Sequence, residues 1–221
     1  MEGYDVEYSL PIPGLMEQAM GLLDVMFGLK KTRVKVELDR VWMTAETKFA
    51  EVQYDLRTRT RKSAAAVLLV AHFNDVRLQL ESITTEEFPV PVRLVRASDL
   101  NPSVAAEMDL ESASIDIICA DRHPVYSIDQ SVSEFAEALS CKCRVIRHMS
   151  FEDALIRRFV DPDLIRRLGI RDTESLQNGM ISRRIRSAQR RVESLTVTNI
   201  PADSAEEWFQ ANCPEMKPVV N

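Results

Sequence analysis

Two hydrophobic periods alternate along this chain, and their alternation predicts the architecture. Thr32 to Leu38 sets Val34, Val36 and Leu38 against Lys35 and Glu37, the period of a strand with one wet face. A helix is predicted from Thr44, with Phe49, Val52, Tyr54 and Leu56 as its apolar positions. Val67 to Ala71 is apolar without a break, as in a strand covered on both faces of a parallel sheet. A helix over Val76–Ile83, a short strand over Val92–Val95 and a strand over Ile115–Ala120 follow. Between those two strands, Ala97 to Ser114 is acidic and weakly patterned, and reads as a loop with one helical turn. Ser127-Ile-Asp-Gln130 fits a capping box, opening a helix with Ile128, Val132, Phe135, Ala136 and Leu139 inward. Arg144 to His148 reads as a strand, and Ser150 to Asp153 as the cap of a helix through Phe159.

At the amino end, Leu15, Ala19, Leu22, Leu23 and Met26 share one face of a predicted helix ending near Gly28. Later, Pro162 to Leu168 forms a helix stopped by Gly169. Ile181, Ile185, Ala188, Val192 and Leu195 then mark a seam with spacings of 4, 3, 4 and 3, those of a helix docking on another helix. Arg183, Arg184, Arg186, Arg190 and Arg191 lie mainly off that seam. The tail, with Pro201, Pro214 and Pro218, reads as irregular apart from a turn over Ala205–Ala211. Strands alternating with helices predict a three-layer α/β domain with a mainly parallel sheet over residues 1–178. An extended C-terminal helix and a tail occupy 179–221.

Composition changes this picture little. The 221 residues are 45% hydrophobic and 28% charged, as in ordinary soluble globular proteins. The longest apolar run, Ala64 to Ala71, is far shorter than the roughly 20 residues of a membrane span. Glu2, Asp5 and Glu7 make the start unlike a signal peptide, so the chain is placed in the cytoplasm and its four cysteines read as free thiols. Charge is more informative. Residues 140–195 carry thirteen Lys/Arg against seven Asp/Glu, which leaves the remainder at −12 within a total of −6. Such a polarity can orient a partner.

The chemistry-bearing candidates are few. His72, followed by Asn74 and Asp75, sits at the carboxyl end of the Val67–Ala71 strand, where open α/β sheets take ligands. Cys141-Lys-Cys143 with His148 offers three metal ligands, one short of a structural zinc set, so no metal site is assigned. Cys119 with His123 or His72 lacks an orienting third group, so no catalytic residue is assigned. Glu152 and Asp153 read as carboxylates in the first turn of a helix. The five arginines can meet phosphates, an acidic protein or anionic lipid. The absence of nearby aromatics and the acidic total charge argue against nucleic acid. A protein partner covering the seam fits better, with Ile181, Arg183, Arg184, Ile185, Arg186, Arg190, Arg191 and Val192 as its contacts.

One stretch carries a resemblance. Phe151-Glu-Asp-Ala-Leu-Ile-Arg-Arg-Phe159, Arg166-Arg-Leu-Gly-Ile170 and the run Met180 to Ser194 resemble the SecA preprotein translocase ATPase, at the end of its second nucleotide-binding domain and the start of its helical scaffold. Upstream, Ala120-Asp-Arg-His123 and Ile128-Asp-Gln130 are similar to that family's TERHESRRIDNQ segment. Asp39 to Phe49 is similar to DxVYxTxxEKF, and Val67 to Leu80 sits where the family has PVLVGTxSxExSExL. In order and spacing the resemblance runs from about Leu10 to Ser194.

It implies a RecA-like sheet of the helicase C-terminal type, and it implies a loss. No phosphate-cradling G-x-x-x-x-G-K-[ST] occurs, and the first nucleotide-binding domain has no counterpart. Phe135 and Ala138 occupy the positions of the family's two arginine fingers, the MAGRGTD segment is missing from Leu100–Ser114, and Ile12 to Leu15 replaces MTGT. The expectation is a non-catalytic, bacterial, SecA-like domain without a cofactor, acting through protein contacts in export. Its partner would be a separately encoded SecA-like half or a second copy. The alternative is a module that holds a nucleotide or small anion at the strand ends, near His72, Asp121, Arg122 and His123, without hydrolysis.

Overall fold

The computed structural model describes residues 33–219 except 63, 102, 105–113, 161–164, 166, 168–170 and 172. The helix expected over Leu15–Met26 lies outside the described residues, and so does most of the one expected over Pro162–Leu168. The chain runs β1 (Val34–Val36), β2 (Arg40–Trp42), α1 (Ala45–Lys62), β3 (Ala66–Ala71), α2 (Asn74–Ile83) and β4 (Val92–Arg96). A 3₁₀ turn (Ala97–Asp99) follows β4, and the next described strand is β5 (Ser114–Cys119). Then come α3 (Tyr126–Ala138), β6 (Lys142–Ser150), α4 (Ala154–Arg157), α5 (Gly179–Leu195) and α6 (Ala205–Asn212).

All strand pairings of the sheet are parallel, in the order β1-β6-β5-β3-β4, with β2 continuing the β1 edge along β6. The strand expected over 32–38 is shorter, Val34–Val36, with Val34 opposite Cys143; β2, which the pattern does not predict, follows it along β6 with Arg40 opposite His148. The chain leaves β3 toward β4 on one side and returns to β5 on the other, so the strand order reverses between β3 and β5. In an open α/β sheet, the crevice at the carboxyl ends of such strands is the usual ligand site.

Alternation along the central strands sorts the core. Leu68, Val70, Ile115, Ile117 and Val145 join Val132, Phe135 and Ala136 of α3 on one face. Val67, Leu69, Ile118 and Ile146 join Val52 and Leu56 of α1 and Leu80 of α2 on the other. This is the expected three-layer α/β arrangement. Tyr54, one of the apolar positions expected of α1, points outward and is 64% exposed.

Two expected caps are built differently. The helix α3 begins at Tyr126 with Val125 as its N-cap and no side-chain cap, so the Ser127 capping box does not form. The strand β6 runs through Ser150, and Asp153 bonds back to the Ser150 amide (2.8 Å) and hydroxyl (2.8 Å), leaving α4 as one short turn. Glu152 serves another helix: its Oε2 accepts from the Ala45 amide at the start of α1 (2.8 Å), where the helix dipole favours a carboxylate.

A third apolar cluster closes the carboxyl end of the sheet. Ile185, Ala188 and Val192 of α5 share it with Val41, Phe73, Met149, Phe151 and Leu155, and with Trp208 and Phe209 of α6. The middle of the seam is therefore covered by the chain itself, while Leu195 stays 53% exposed; the turn expected over Ala205–Ala211 is the helix α6, which supplies part of the cover. Arg158 fastens α6, bonding Glu206 twice (2.9 and 2.7 Å) and lying 4.1 Å above the Phe209 ring centroid.

Candidate functional site

At the reversal point the structure brings together the four residues expected near the strand ends. Asp121 follows β5, and its carboxylate accepts from the backbone amides of His72 (2.9 and 3.0 Å) and Phe73 (3.1 Å), which lead into α2. Next to it Arg122 turns inward, 6% exposed. Its Nε and Nη2 donate to Asp39 Oδ1 (3.0 and 2.5 Å), and its Nη1 donates to Asp129 Oδ2 (2.7 Å) and Gln189 Oε1 (3.1 Å). Asp129 also faces His72, whose Nε2 is 3.5 Å from its Oδ1, and Arg147, at 3.8 Å. A buried guanidinium is tolerable only when charge and donors are matched in this way. Burial alone would push Asp129 up, but Arg122, His72 and Arg147 outweigh it and hold the carboxyl well below the usual carboxylate range.

His123 lies behind this hub, stacked on Phe73 (5.4 Å between centroids) and edge-on to Trp208 (5.3 Å). Its Nδ1 accepts from the Val125 amide (3.0 Å), which fixes a neutral imidazole. Gln189 ties α5 to the same point, because its Nε2 donates to the His123 carbonyl (2.8 Å). Ser182, seven residues earlier on that helix, accepts from the Asp39 amide (3.1 Å).

Burial and the neighbouring His72 lower the pKa of His123 to about 3. Unfolding therefore takes up a proton below the ordinary value of 6.5, and stability falls as the pH drops from there toward 3. Asp121 acts in the opposite sense. Burial raises it from 3.8 to about 6, against the opposing charges of His72 and Lys48, so its protonation favours the folded chain between those values. Removing only the histidine term, with His123→Phe, is expected to improve stability relative to wild type by about 3 kcal/mol at pH 4 compared with pH 7. Urea titrations at the two pH values would measure this, and parallel profiles would refute the neutral buried role.

The remaining candidates separate. His148 and Cys143 lie on opposite faces of β6. His148 accepts from Trp42 Nε1 at Nδ1 (3.1 Å) and directs Nε2 toward Asp55 Oδ2 (3.1 Å), so it does not join Cys141 and Cys143 in one cluster. Cys141 and Cys143 pair only with each other, their sulfurs 3.7 Å apart. Cys119 is buried against α3, and burial drives its thiol up to about 12, far from a nucleophile at neutral pH.

A cavity of about 290 Å³ opens beside Asp121. Asp75, Asp121, Glu152, Asp153 and Glu206 line it against Lys48, Arg122 and Arg157. Each of these cations already holds a carboxylate: Lys48 bonds Asp153 (2.8 Å), Arg157 bonds Glu206 (3.0 Å), and Arg122 bonds Asp39 and Asp129. The lining has the wrong sign for a phosphate.

On α5, the expected contact residues divide. Ile185 and Val192 are buried and Ile181 and Arg186 half-buried, while Arg183, Arg184, Arg190 and Arg191 are exposed. Ile185 and Val192 are thus unavailable to a partner, because Trp208 and Phe209 share their cluster. None of the five arginines meets a carboxylate among the described residues; Arg190 lies 4.5 Å over the Tyr126 ring. The sequence reading missed Asp39, Asp129, Ser182, Gln189 and Trp208. Ser182 and Gln189 carried a signal, since they are polar residues within the helical seam.

No described helix is long and apolar enough to cross a membrane. No family model and no curated protein matches the sequence. Among solved structures, the C-terminal part of the Fun30 ATPase domain is similar at 13% identity with a TM-score of 0.35. The match covers 65% of this chain and 52% of that one, about half its length.

Proposed function

We propose that this chain is a degenerate SecA-like module, a RecA-like sheet kept as a scaffold and used for protein–protein contact. Its contact surface is the outward arginine face of α5, and its partner presents an acidic face. The setting would be bacterial protein export or a related assembly, with a separately encoded SecA-like half or a second copy as the partner. The supporting observation is a contrast in how charge is used. At the strand ends, where a nucleotide would sit, the cations are paired inside the chain and the cavity beside Asp121 is lined by five carboxylates. On α5, four exposed arginines meet no carboxylate among the described residues. Arg190 also rests on the Tyr126 ring, and all four present their charge to another molecule.

The alternative, a nucleotide or anion held near His72 and Asp121, is disfavoured by the acidic lining of the cavity there. Calorimetry with ATP and ADP is expected to give no saturable heat. Affinity capture from extracts of the source cell tests the leading reading. Joint Arg183→Glu, Arg190→Glu and Arg191→Glu substitution is expected to reduce the specifically retained protein at least tenfold. The wild-type interaction should also weaken as salt rises. Equal recovery by wild type and variant, or hydrolysis of ATP by the purified chain, would overturn this function.

A further inference from the structure

An apolar groove of about 400 Å³ lies beside the arginine face, between the amino-terminal half of α5 and the end of the sheet. Val41, Phe151, Phe159, Leu176 and Ile181 form much of its wall. Only Asn178 and Arg184 interrupt that apolar lining among the described residues, and no carboxylate contributes to it. Met180 stands at the mouth with 67% of its surface exposed. Methionine at such a rim adapts to varied apolar shapes.

We propose that this groove receives the bulky apolar side chains of an acidic, amphipathic segment of a partner protein. The proposal rests on the reading of α5 as the contact surface and specifies what the partner must present there. The groove is large enough to bury more than one branched or aromatic side chain, and burial of such anchors supplies most of the affinity at protein interfaces. Charge selects their flanks. Arg184 reaches the groove itself, and Arg183, Arg190 and Arg191 extend the positive surface along the same helix without carboxylate partners among the described residues. A basic segment would be repelled, and a purely polar acidic one would leave the groove wet. Leucine, isoleucine or phenylalanine at helical spacing, flanked by Glu or Asp, matches both features.

Fluorescence anisotropy with a labelled synthetic peptide, leucines on one helical face and glutamates elsewhere, tests this on the full chain. Changing the leucines to serine is expected to weaken binding at least tenfold, as is changing the glutamates to lysine. In the protein, Met180→Glu, at an exposed position, and Ile181→Glu, at a half-buried one, should each lower affinity for the leucine peptide at least tenfold. Met180→Glu keeps the test valid if Ile181→Glu perturbs folding. No binding of the leucine peptide, or equal binding of the serine peptide, overturns the groove proposal. If Arg183→Glu and Arg190→Glu together leave peptide affinity unchanged while Met180→Glu reduces it, the arginine-face reading fails and the groove stands. Sedimentation showing a dimer that Met180→Glu converts to monomer would identify the occupant as a second copy and overturn the acidic partner.

Discussion

Arg122→Ala is expected to lower the free energy of unfolding by about 3–5 kcal/mol, the range for removing one partner from a buried charge network. The deletion leaves Asp39 and Asp129, each almost fully buried, without their shared guanidinium. It also strands the Gln189 carbonyl that fastens α5 to the sheet. Arg122→Lys retains the charge but cannot reach three acceptors at once, so a smaller loss, about 1–3 kcal/mol, is expected from its missing hydrogen bonds. The acid limb should move as well. In the wild type, Asp129 is depressed by its cationic neighbours, so its contribution is full above the unfolded value of 3.8 and is lost as pH falls below that. Without Arg122 the carboxyl is no longer held down by its main partner, so less stability remains to be lost below 3.8 and the gap between variant and wild type narrows as the pH falls through that range. Urea midpoints across pH would read both effects, and an alanine variant within about 1 kcal/mol of wild type would contradict the hub.

Trp208→Ala is the second large effect, about 3–5 kcal/mol for emptying a buried aromatic site. Trp208 is 1% exposed, packs edge-on against His123 and Phe209, and donates from Nε1 to Asn199 (2.7 Å). Its loss removes the contact between α6 and the strand-end hub while leaving the Arg158–Glu206 anchor. Detachment of α6 is therefore expected before the sheet unfolds. Limited proteolysis should cut sooner between residues 197 and 204 in the variant, and Trp208→Phe should restore most of the protection. Unchanged cleavage together with an unchanged melting curve would show that the tail does not close this end of the sheet.

Much of the sheet was legible in the sequence because its strands are covered on both faces. Val67–Ala71 and Ile115–Ala120 have no polar face to confuse the pattern apart from Asp116, whose carboxylate is neutralised by Arg59 (2.8 Å). Short elements were less legible. The strand β2 has only three residues, so no period can reveal it, and its pairing with β6 depends on a partner far along the chain. The strand-end residues could be placed from their position after apolar runs. Their internal pairing could not, because Asp39 and Arg122 are separated by 83 positions and meet only in the assembled tertiary fold. The helix α6 was obscured by the surrounding prolines, although Ser204 caps it in the ordinary way, accepting from the Glu207 amide (3.2 Å). The seam of α5 was visible, but not what covers it. Spacing identifies a face, while the covering side chains come from α6 and the strand ends.

The parallel edge has a consequence for synthesis. Among the described strands β1 is made before the others, yet the partner it has there is β6; the Arg33 side chain closes on the Ser140 carbonyl 107 residues later. At about 5–20 residues per second, the amino-terminal edge waits roughly 5–20 seconds for that partner to be made. During this interval β3, β4 and then β5 can pair, while the β6 side of β5 remains an uncovered apolar template for other chains. Nascent-chain protection is thus most needed before residue 150, when the last strand of the sheet is complete.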